Sequence, residues 1–218
     1  EAAKYNKSAY ASIGLMYYKK VSKKKGKEKY MEGWEKGDLE SAYELGIIYN
    51  KYEKNLKEAE KWWKLAGEKG HSDAQYSLGL MYKENGNYSD SIDWYTKAAN
   101  QENVEAQYNL GNLYLNMNNY ENAEKWWKKA AENEDVKAQN GLGIIYEKRK
   151  NYVEAEKWYL KAAERRNERA QFNLANLYDF SLKNMEKAKY WYEKSLEQGN
   201  EEAKIRLESI ERREKNDN

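Results

Sequence analysis

One nine-residue pattern recurs at a constant interval in this chain, and it constrains the fold more than any other feature. The copies are AQYSLGLMY from Ala74, AQYNLGNLY from Ala106 and AQNGLGIIY from Ala138. The interval of about 32 residues is typical of repeat architectures in which each unit contributes one supersecondary element. The sequence therefore predicts an array of repeats rather than one or two globular domains with single cores.

Two patterns recur in step along the chain. A Leu-Gly pair or its equivalent recurs at nearly the same interval, at Ile13-Gly14, Leu45-Gly46, Leu78-Gly79, Leu110-Gly111, Leu142-Gly143 and Leu174-Ala175. Adjacent aromatic residues follow it at Trp62-Trp63, Trp94-Tyr95, Trp126-Trp127, Trp158-Tyr159 and Trp191-Tyr192. We predict six repeats and a C-terminal capping helix with a polar tail, at residues 8–40, 41–73, 74–105, 106–137, 138–169, 170–200 and 201–218.

Each repeat contains two stretches with helical periodicity. In the third repeat, apolar residues at i, i+4, i+7 and i+8 predict a first helix through Ala74, Leu78, Met81 and Tyr82. Ser91, Trp94, Tyr95, Ala98 and Ala99 predict a second helix. A glycine such as Gly79 costs a helix about 1 kcal/mol relative to alanine, so its recurrence predicts close approach of another helix. Clusters such as Asn85-Gly86-Asn87 predict the turns, and we expect helices to end at Gly or Asn.

These residues resemble a known superfamily. The order Leu78, Gly79, Tyr82, Ser91, Tyr95, Ala98 has the spacing of the tetratricopeptide repeat. The run from Trp94 to Ala99, followed by Ala106 to Gly111, is more similar to the Sel-one-like subclass of that superfamily. The resemblance implies an all-α, right-handed α-solenoid of six antiparallel helix pairs with a concave face lined by the first helices. Two departures are the first repeat, with Met31 and Trp34 where Tyr and Ala are expected, and the absence of the usual Gly at Glu102, Glu134 and Arg166.

Composition excludes several classes of function. The 39 basic and 37 acidic residues are interleaved and nearly cancel, which disfavours a broad field for nucleic acid or an anionic membrane. There is no Cys and a single His, so the sequence predicts no metal site and no cofactor. No apolar run approaches the roughly 20 residues that span a bilayer. The chain begins at Glu1 rather than Met, which is compatible with a removed export signal or lipid anchor, so a periplasmic or exported location stays open.

No catalytic constellation is found in the sequence. There is no Gly-rich phosphate loop and no nucleophile elbow. Aromatic residues that recur at one helical position, such as Trp94, Trp126 and Trp158, are interpreted as core packing. His71 is interpreted as a polar turn residue, with pH sensing as the alternative. We therefore predict that the chain is not an enzyme.

The resemblance also implies which residues line the concave face. Positions two before and two after each recurring Leu point into the groove of such repeats, and residues such as Asn50, Lys51, Asp179 and Phe180 lie farther along the same helices. The predicted binding residues are Tyr43, Tyr76, Leu80, Tyr108, Asn112, Asn140, Ile144, Lys148, Phe172 and Asn176. Tyr and Phe are common interface anchors, and Asn can pair with a peptide backbone through its donor and its acceptor. For each groove Tyr, packing against the adjacent first helix is the alternative.

The first functional hypothesis is a non-catalytic protein-interaction module that binds a peptide or partner protein on its concave face. Relatives of this kind serve as adaptors, as exported bacterial proteins or as immunity proteins, and the sequence does not choose among them. The alternative is an RNA-binding helical-repeat protein, with stacking Tyr and hydrogen-bonding Asn. A third possibility is the non-catalytic part of a larger protein. The identity of the partner and the oligomeric state stay open.

Overall fold

The computed structural model describes the backbone of residues 2–216 and the side chains of residues 9–215. Within that part of the chain there are thirteen α-helices and no β-strand. They are α1 (Ala2–Lys20), α2 (Lys23–Glu35), α3 (Leu39–Ile47), α4 (Leu56–Glu68), α5 (Ser72–Glu84), α6 (Tyr88–Ala99), α7 (Val104–Asn116), α8 (Tyr120–Glu132), α9 (Val136–Lys148), α10 (Tyr152–Glu164), α11 (Glu168–Asn176), α12 (Met185–Leu196) and α13 (Glu201–Asn216). The predicted all-α repeat fold is confirmed.

The chain forms two compact units, Glu1–Asn109 and Leu110–Asn218. In the first unit α1 packs on α2, α3 on α4 and α5 on α6, and each of α2 and α4 also packs on the first helix of the next pair. In the second unit α9 pairs with α10 and α11 with α12, and α13 packs on α12. Each helix pair therefore buries its apolar faces against its neighbours, as expected for units too small to form a core alone.

A glycine in the first helix lies beneath an aromatic ring of the second helix. A Cβ atom on Gly46 would stand 2.2 Å from Nε1 of Trp63, and one on Gly79 would stand 2.4 Å from Cδ1 of Tyr95. Both rings are buried. The close packing predicted from the recurrence of glycine is confirmed, because no side chain at these positions leaves room for the ring.

The first repeat follows the same rule, which corrects the sequence alignment. A Cβ atom on Gly14 would stand 2.7 Å from Cδ1 of Tyr30, and Tyr30 is fully buried. Tyr30 follows Gly14 at the same distance along the chain at which Tyr95 follows Gly79. Placing Met31 and Trp34 at the Tyr and Ala positions was wrong by one residue, and Met31 is exposed.

Two kinds of cap fix the helix ends. Each second helix from α4 to α12 begins after an Asn whose side chain accepts a hydrogen bond from a backbone N–H, at Asn55, Asn87, Asn119, Asn151 and Asn184. In the turn after a helix, one residue has a left-handed backbone conformation with positive φ, as at Gly70 (φ +94°) and Gly86 (φ +76°). The expectation that helices end at Gly or Asn is not met everywhere, because Glu102, Glu134 and Arg166 have φ values from +61° to +63° at this position.

Two first helices end in a π-helical turn, at Ile48–Tyr52 and Leu177–Ser181. In these two repeats the aromatic ring comes one position later after the Gly or Ala than in the third repeat, as the pairs Gly46 with Trp63 and Ala175 with Tyr192 show. A π turn absorbs one extra residue without breaking the helix, and such turns are frequent at functional sites. The insertion is therefore accommodated where the first helix ends.

Candidate functional site

An open cleft lies where the first helices of the second and third repeats meet, beside the π-helical turn Ile48–Tyr52. We call it the second-repeat cleft, and its volume is about 380 Å³. Its apolar lining comes from Ile47, Leu56, Trp63, Leu80 and Met81, and its polar lining from Asn50, Lys51, Lys54, Ser77, Glu84 and Asn85. An apolar floor with a polar rim is the usual composition of a binding pocket.

The equivalent junction in the second unit is closed. Asp179 follows Leu174 by five residues, as Asn50 follows Leu45. Arg213 of α13 donates hydrogen bonds of 2.9 Å and 3.0 Å to the two carboxylate oxygens of Asp179, whose exposed fraction is only 4%. Asp179 is therefore buried beneath α13 and is not accessible to a ligand.

A second contact covers the same closed junction. The guanidinium of Arg206 lies 5.2 Å from the ring centre of Phe180. In the second-repeat cleft, Asn50 and Lys51 replace Asp179 and Phe180, while Ser77 and Glu84 replace the two arginines. Asn50 and Glu84 cannot form the Arg–Asp ion pair of the later junction, and no hydrogen bond joins them among the described residues, which fits the open cleft.

The rim of the cleft has an excess of positive charge. Lys51 lies 5.6 Å from the ring centre of Tyr52, and Lys54 is exposed with φ +54°. Neither lysine forms an ion pair with any carboxylate among residues 9–215. Since Glu84 is the only acidic residue among the described residues of the lining, the rim suits a ligand that carries a carboxylate.

Of the predicted binding residues in the first unit, one lines the cleft and two pack against other rings. Leu80 lines the cleft. Ile47, which follows Leu45 by two residues as Leu80 follows Leu78, lines it too. The ring of Tyr43 stacks on His71 with centres 4.9 Å apart, and the ring of Tyr76 lies 5.6 Å from that of Tyr95. Burial raises the pKa of both phenols, Tyr43 and Tyr76. Tyr108 is half-buried. Packing within the repeat array therefore accounts for Tyr43 and Tyr76 in this structure.

In the second unit several predicted residues contact either a neighbouring repeat or the second helix of their own repeat. Asn140 accepts a hydrogen bond of 2.9 Å from Nδ2 of Asn173, and Asn176 accepts one of 2.6 Å from the hydroxyl of Tyr192. The rings of Phe172 and Tyr192 are 5.7 Å apart. The remaining residues are Ile144 and Asn112, both half-buried, and the exposed Lys148, whose Nζ lies 5.9 Å from the ring centre of Tyr120.

Sequence reasoning missed a set of buried glutamines. Gln75 donates a hydrogen bond of 2.7 Å to the carbonyl of Gly67, and Gln171 donates one of 3.1 Å to the carbonyl of Ala163. Each bond joins a first helix to the end of the preceding second helix, where carbonyls lack helical partners. The sequence contains a signal for these glutamines, because Gln follows Ala in all three copies of the nine-residue pattern that begin at Ala74, Ala106 and Ala138.

His71 has a structural role in the first unit. Its Nδ1 accepts a hydrogen bond of 3.2 Å from the N–H of Ala74 and caps α5. Its Nε2 lies 3.2 Å from Oε2 of Glu40. This agrees with its interpretation as a polar turn residue.

No group of three or more His, Cys, Asp or Glu residues in the described region could hold a metal ion. Every helix among the described residues is too short or too polar to span a lipid bilayer.

The fold and the cleft define an α-helical repeat protein, and comparison with known families gives the type of repeat. Residues 39–71, 72–103 and 168–200 match the Sel1 repeat, and residues 108–168 match a tetratricopeptide repeat. Residues 39–103 and 168–200 are therefore Sel1 repeats and residues 108–168 are of tetratricopeptide type, and the predicted resemblance is confirmed. Repeats of these families generally form protein-interaction scaffolds. A comparison of the sequence with curated proteins gave no match.

Several solved structures are similar to this chain. The protective antigen c5321 of uropathogenic Escherichia coli, which has a Sel1-like repeat fold, is 28% identical with a TM-score of 0.83 over 95% of this chain. The match covers 49% of that antigen, so this chain spans about half its length. A Sel1 repeat protein from Oxalobacter formigenes is 28% identical with a TM-score of 0.69, covering 92% of this chain and 87% of that one. PilF of Pseudomonas aeruginosa, at 17% identity and a TM-score of 0.69 over 96% of this chain and all of that one, shares the fold.

Proposed function

We propose that this protein is a non-catalytic scaffold that binds an extended peptide segment of a partner protein, with the second-repeat cleft as the main anchoring point. The observation that carries the proposal is the open junction at Asn50 and Glu84, where the corresponding Asp179 and Arg213 close the later junction. Repeat arrays present their first helices as a binding surface, and an unfilled pocket on that surface is where a side chain of a partner can be buried.

The lining of the cleft indicates the chemistry of the ligand. Its floor of Ile47, Leu80 and Met81 suits an aliphatic or aromatic side chain, since a volume of about 380 Å³ exceeds that of any single side chain. The amides of Asn50 and Asn85 can pair with a peptide backbone through both donor and acceptor. The ammonium groups of Lys51 and Lys54 favour a carboxylate beside the anchor.

The other predicted binding residues are proposed as further peptide contacts, each within its own unit. Tyr108 and Asn112 stay predictions for backbone and ring contacts, as do Tyr76, Asn140, Phe172 and Asn176. An amide oxygen that accepts a hydrogen bond from another side chain leaves the amide N–H donors of the same residue, so the internal bonds of Asn140 and Asn176 are compatible with peptide contacts.

The test is to locate a bound peptide directly. Peptides selected from a random display library on the full chain would be titrated into protein with labelled Ile, Leu and Met methyl groups. We expect the largest chemical-shift changes at Ile47, Leu80 and Met81, with Ile145 of α9 as an internal control that stays unchanged. Changes that leave these three methyl groups unaffected would contradict the assignment of the cleft.

A further inference from the structure

The outer side of α1 presents apolar side chains at positions that are buried in later repeats. Ile13 is 38% exposed and Met16 is 47% exposed. The residues that correspond to Ile13 are Leu45, Leu78, Leu142 and Leu174, and those that correspond to Met16 are Ile48, Met81, Ile145 and Leu177; none of the eight is more than 7% exposed. Since α1 already packs on α2, the contact that Ile13 and Met16 lack is the one made by a preceding second helix.

A recurring polar contact identifies what such a helix would carry. The hydroxyl of Tyr146 donates a hydrogen bond of 2.7 Å to Oε1 of Glu124, which lies on the second helix of the preceding repeat. The ammonium of Lys128, four residues after Glu124, lies 5.9 Å from the Tyr146 ring centre.

The same arrangement occurs in the first unit and places Tyr17 in the pattern. Tyr82 donates to Glu60, and Lys64 lies 5.6 Å from the Tyr82 ring centre. Tyr17 follows Ile13 by four residues, as Tyr82 follows Leu78 and Tyr146 follows Leu142. The Ile13 face therefore has the apolar pair and the tyrosine of an internal repeat interface.

We propose that the face of α1 formed by Ile13, Met16 and Tyr17 is a docking surface for one further helix pair of the same repeat type, joined ahead of α1. The pair would pack through its second helix, with small and aromatic residues against Ile13 and Met16 and a Glu-x-x-x-Lys pair at Tyr17. The surface continues the interface already formed between the repeats of each unit.

Self-association fits this surface less well. A stable dimer buries roughly 800 Å² per partner, whereas this face offers only a few partly exposed apolar side chains. The terminal helix α13 does not complement this apolar face. Its exposed residues include Ile205 as the single large apolar side chain, beside the charged Lys204, Glu208, Glu211 and Arg212. A covalently linked repeat needs far less area, because its effective concentration is in the millimolar range.

The test adds a repeat to the full chain. A copy of residues 106–137, which carries the Glu124 and Lys128 pair, would be joined to Ala9 in place of residues 1–8, so that the joint repeats the natural step from Lys137 to Ala138. Amide hydrogen exchange of residues 10–20 would then be compared with that of the unextended protein. We expect exchange at least about tenfold slower, because opening α1 would now break an interface.

Two controls make the outcome decisive. The same extension carrying Ile13→Lys and Met16→Lys should lose the protection, and an equal extension placed after residue 216 should give none. The exchange of α1 in the unextended double variant shows whether α1 itself stays folded. Unchanged exchange in the extended protein, or light scattering that shows a dimer of the unextended chain dispersed by Ile13→Lys, would overturn the proposal.

Discussion

Gly143 of α9 lies directly beneath the ring of Tyr159 of α10, so that a Cβ atom on the glycine would stand 2.3 Å from Cδ1 of the ring. The same relationship joins Gly46 to Trp63 and Gly79 to Tyr95. The glycine allows the two helices of a pair to approach closely enough for the ring to be fully buried between them. This contact explains why a residue that disfavours helices recurs in the middle of one.

Replacing this glycine should destabilise the protein although alanine is the better helix former. Gly143→Ala gains about 1 kcal/mol of helix propensity but forces the buried Tyr159 ring to move. We expect a net loss of about 2 kcal/mol in urea unfolding. The matched control is Ala175→Gly, at the equivalent position of the sixth repeat, which should lose about 1 kcal/mol from propensity and a further amount from its buried methyl group. A Gly143→Ala variant as stable as the wild type would contradict the packing argument.

Glu124 should make the stability of the protein depend on acid pH. Its carboxylate accepts hydrogen bonds from Lys128 (2.6 Å), Tyr146 (2.7 Å) and Arg149. Burial by itself would raise the pKa of Glu124, but these three bonds together outweigh burial and lower the pKa to about 2. A carboxyl whose pKa is lower in the folded state than in the unfolded state stabilises the fold above the unfolded value of about 4.3, and this is lost as pH falls toward 2.

Glu124→Gln should therefore cost about 2 kcal/mol at pH 7 and little at pH 2. The measurement is the free energy of unfolding by urea at several pH values. Glu121→Gln, an exposed glutamate on the same helix, is the control and should leave the pH profile unchanged. A Glu124→Gln profile parallel to that of the wild type would show that the cluster contributes nothing to folding.

Glu102 should be a site where glycine stabilises the protein. Its backbone is left-handed with φ +63°, in the place that Gly70 fills with φ +94° after α4. A side chain in this conformation costs about 1 kcal/mol, part of which is offset by the larger unfolded-state entropy of glycine. Glu102→Gly is expected to raise the free energy of unfolding by about 0.5 kcal/mol.

Gly70→Ala is the reverse substitution, which puts a side chain in place of glycine at a left-handed position with free space around it. No side-chain or backbone atom lies within 4 Å of a Cβ built there, so any loss reflects the backbone alone. We expect a loss of about 1 kcal/mol. If thermal unfolding shows Glu102→Gly to be less stable than the wild type, the left-handed turn is not the source of strain.

Transferring the closing pair of the last repeat should close the second-repeat cleft. In the double variant Asn50→Asp, Glu84→Arg the new side chains take the positions of Asp179 and Arg213, which hydrogen-bond at 2.9 Å. We expect peptides selected on the wild type to bind this variant at least about tenfold more weakly, with no loss of thermal stability. The single variant Asn50→Asp, which cannot form the pair, is the control for a charge effect. Full binding by the double variant would mean that peptides do not use the cleft.

The periodic part of the structure was predictable because every repeat repeats the same packing problem. Gly79 and Tyr95 recur with nearly fixed spacing, so their contact follows from any one repeat. The cleft depends instead on one inserted residue and on the absence of a pair such as Asp179 and Arg213, and neither is a periodic signal. The groove alignment gave the right helix face for Leu80, but it could not show that the hydroxyl of Tyr192 reaches Asn176 from the second helix.

The most direct test of the central claim is the affinity of selected peptides for Leu80→Lys. Leu80 lines the second-repeat cleft, and Ser209 holds the equivalent position beside the closed junction of the second unit, so Ser209→Lys is the matched control. Isothermal titration calorimetry should give a Kd at least about tenfold higher for Leu80→Lys and an unchanged Kd for Ser209→Lys. Equal affinity of the wild type and Leu80→Lys for every selected peptide would contradict binding in the cleft.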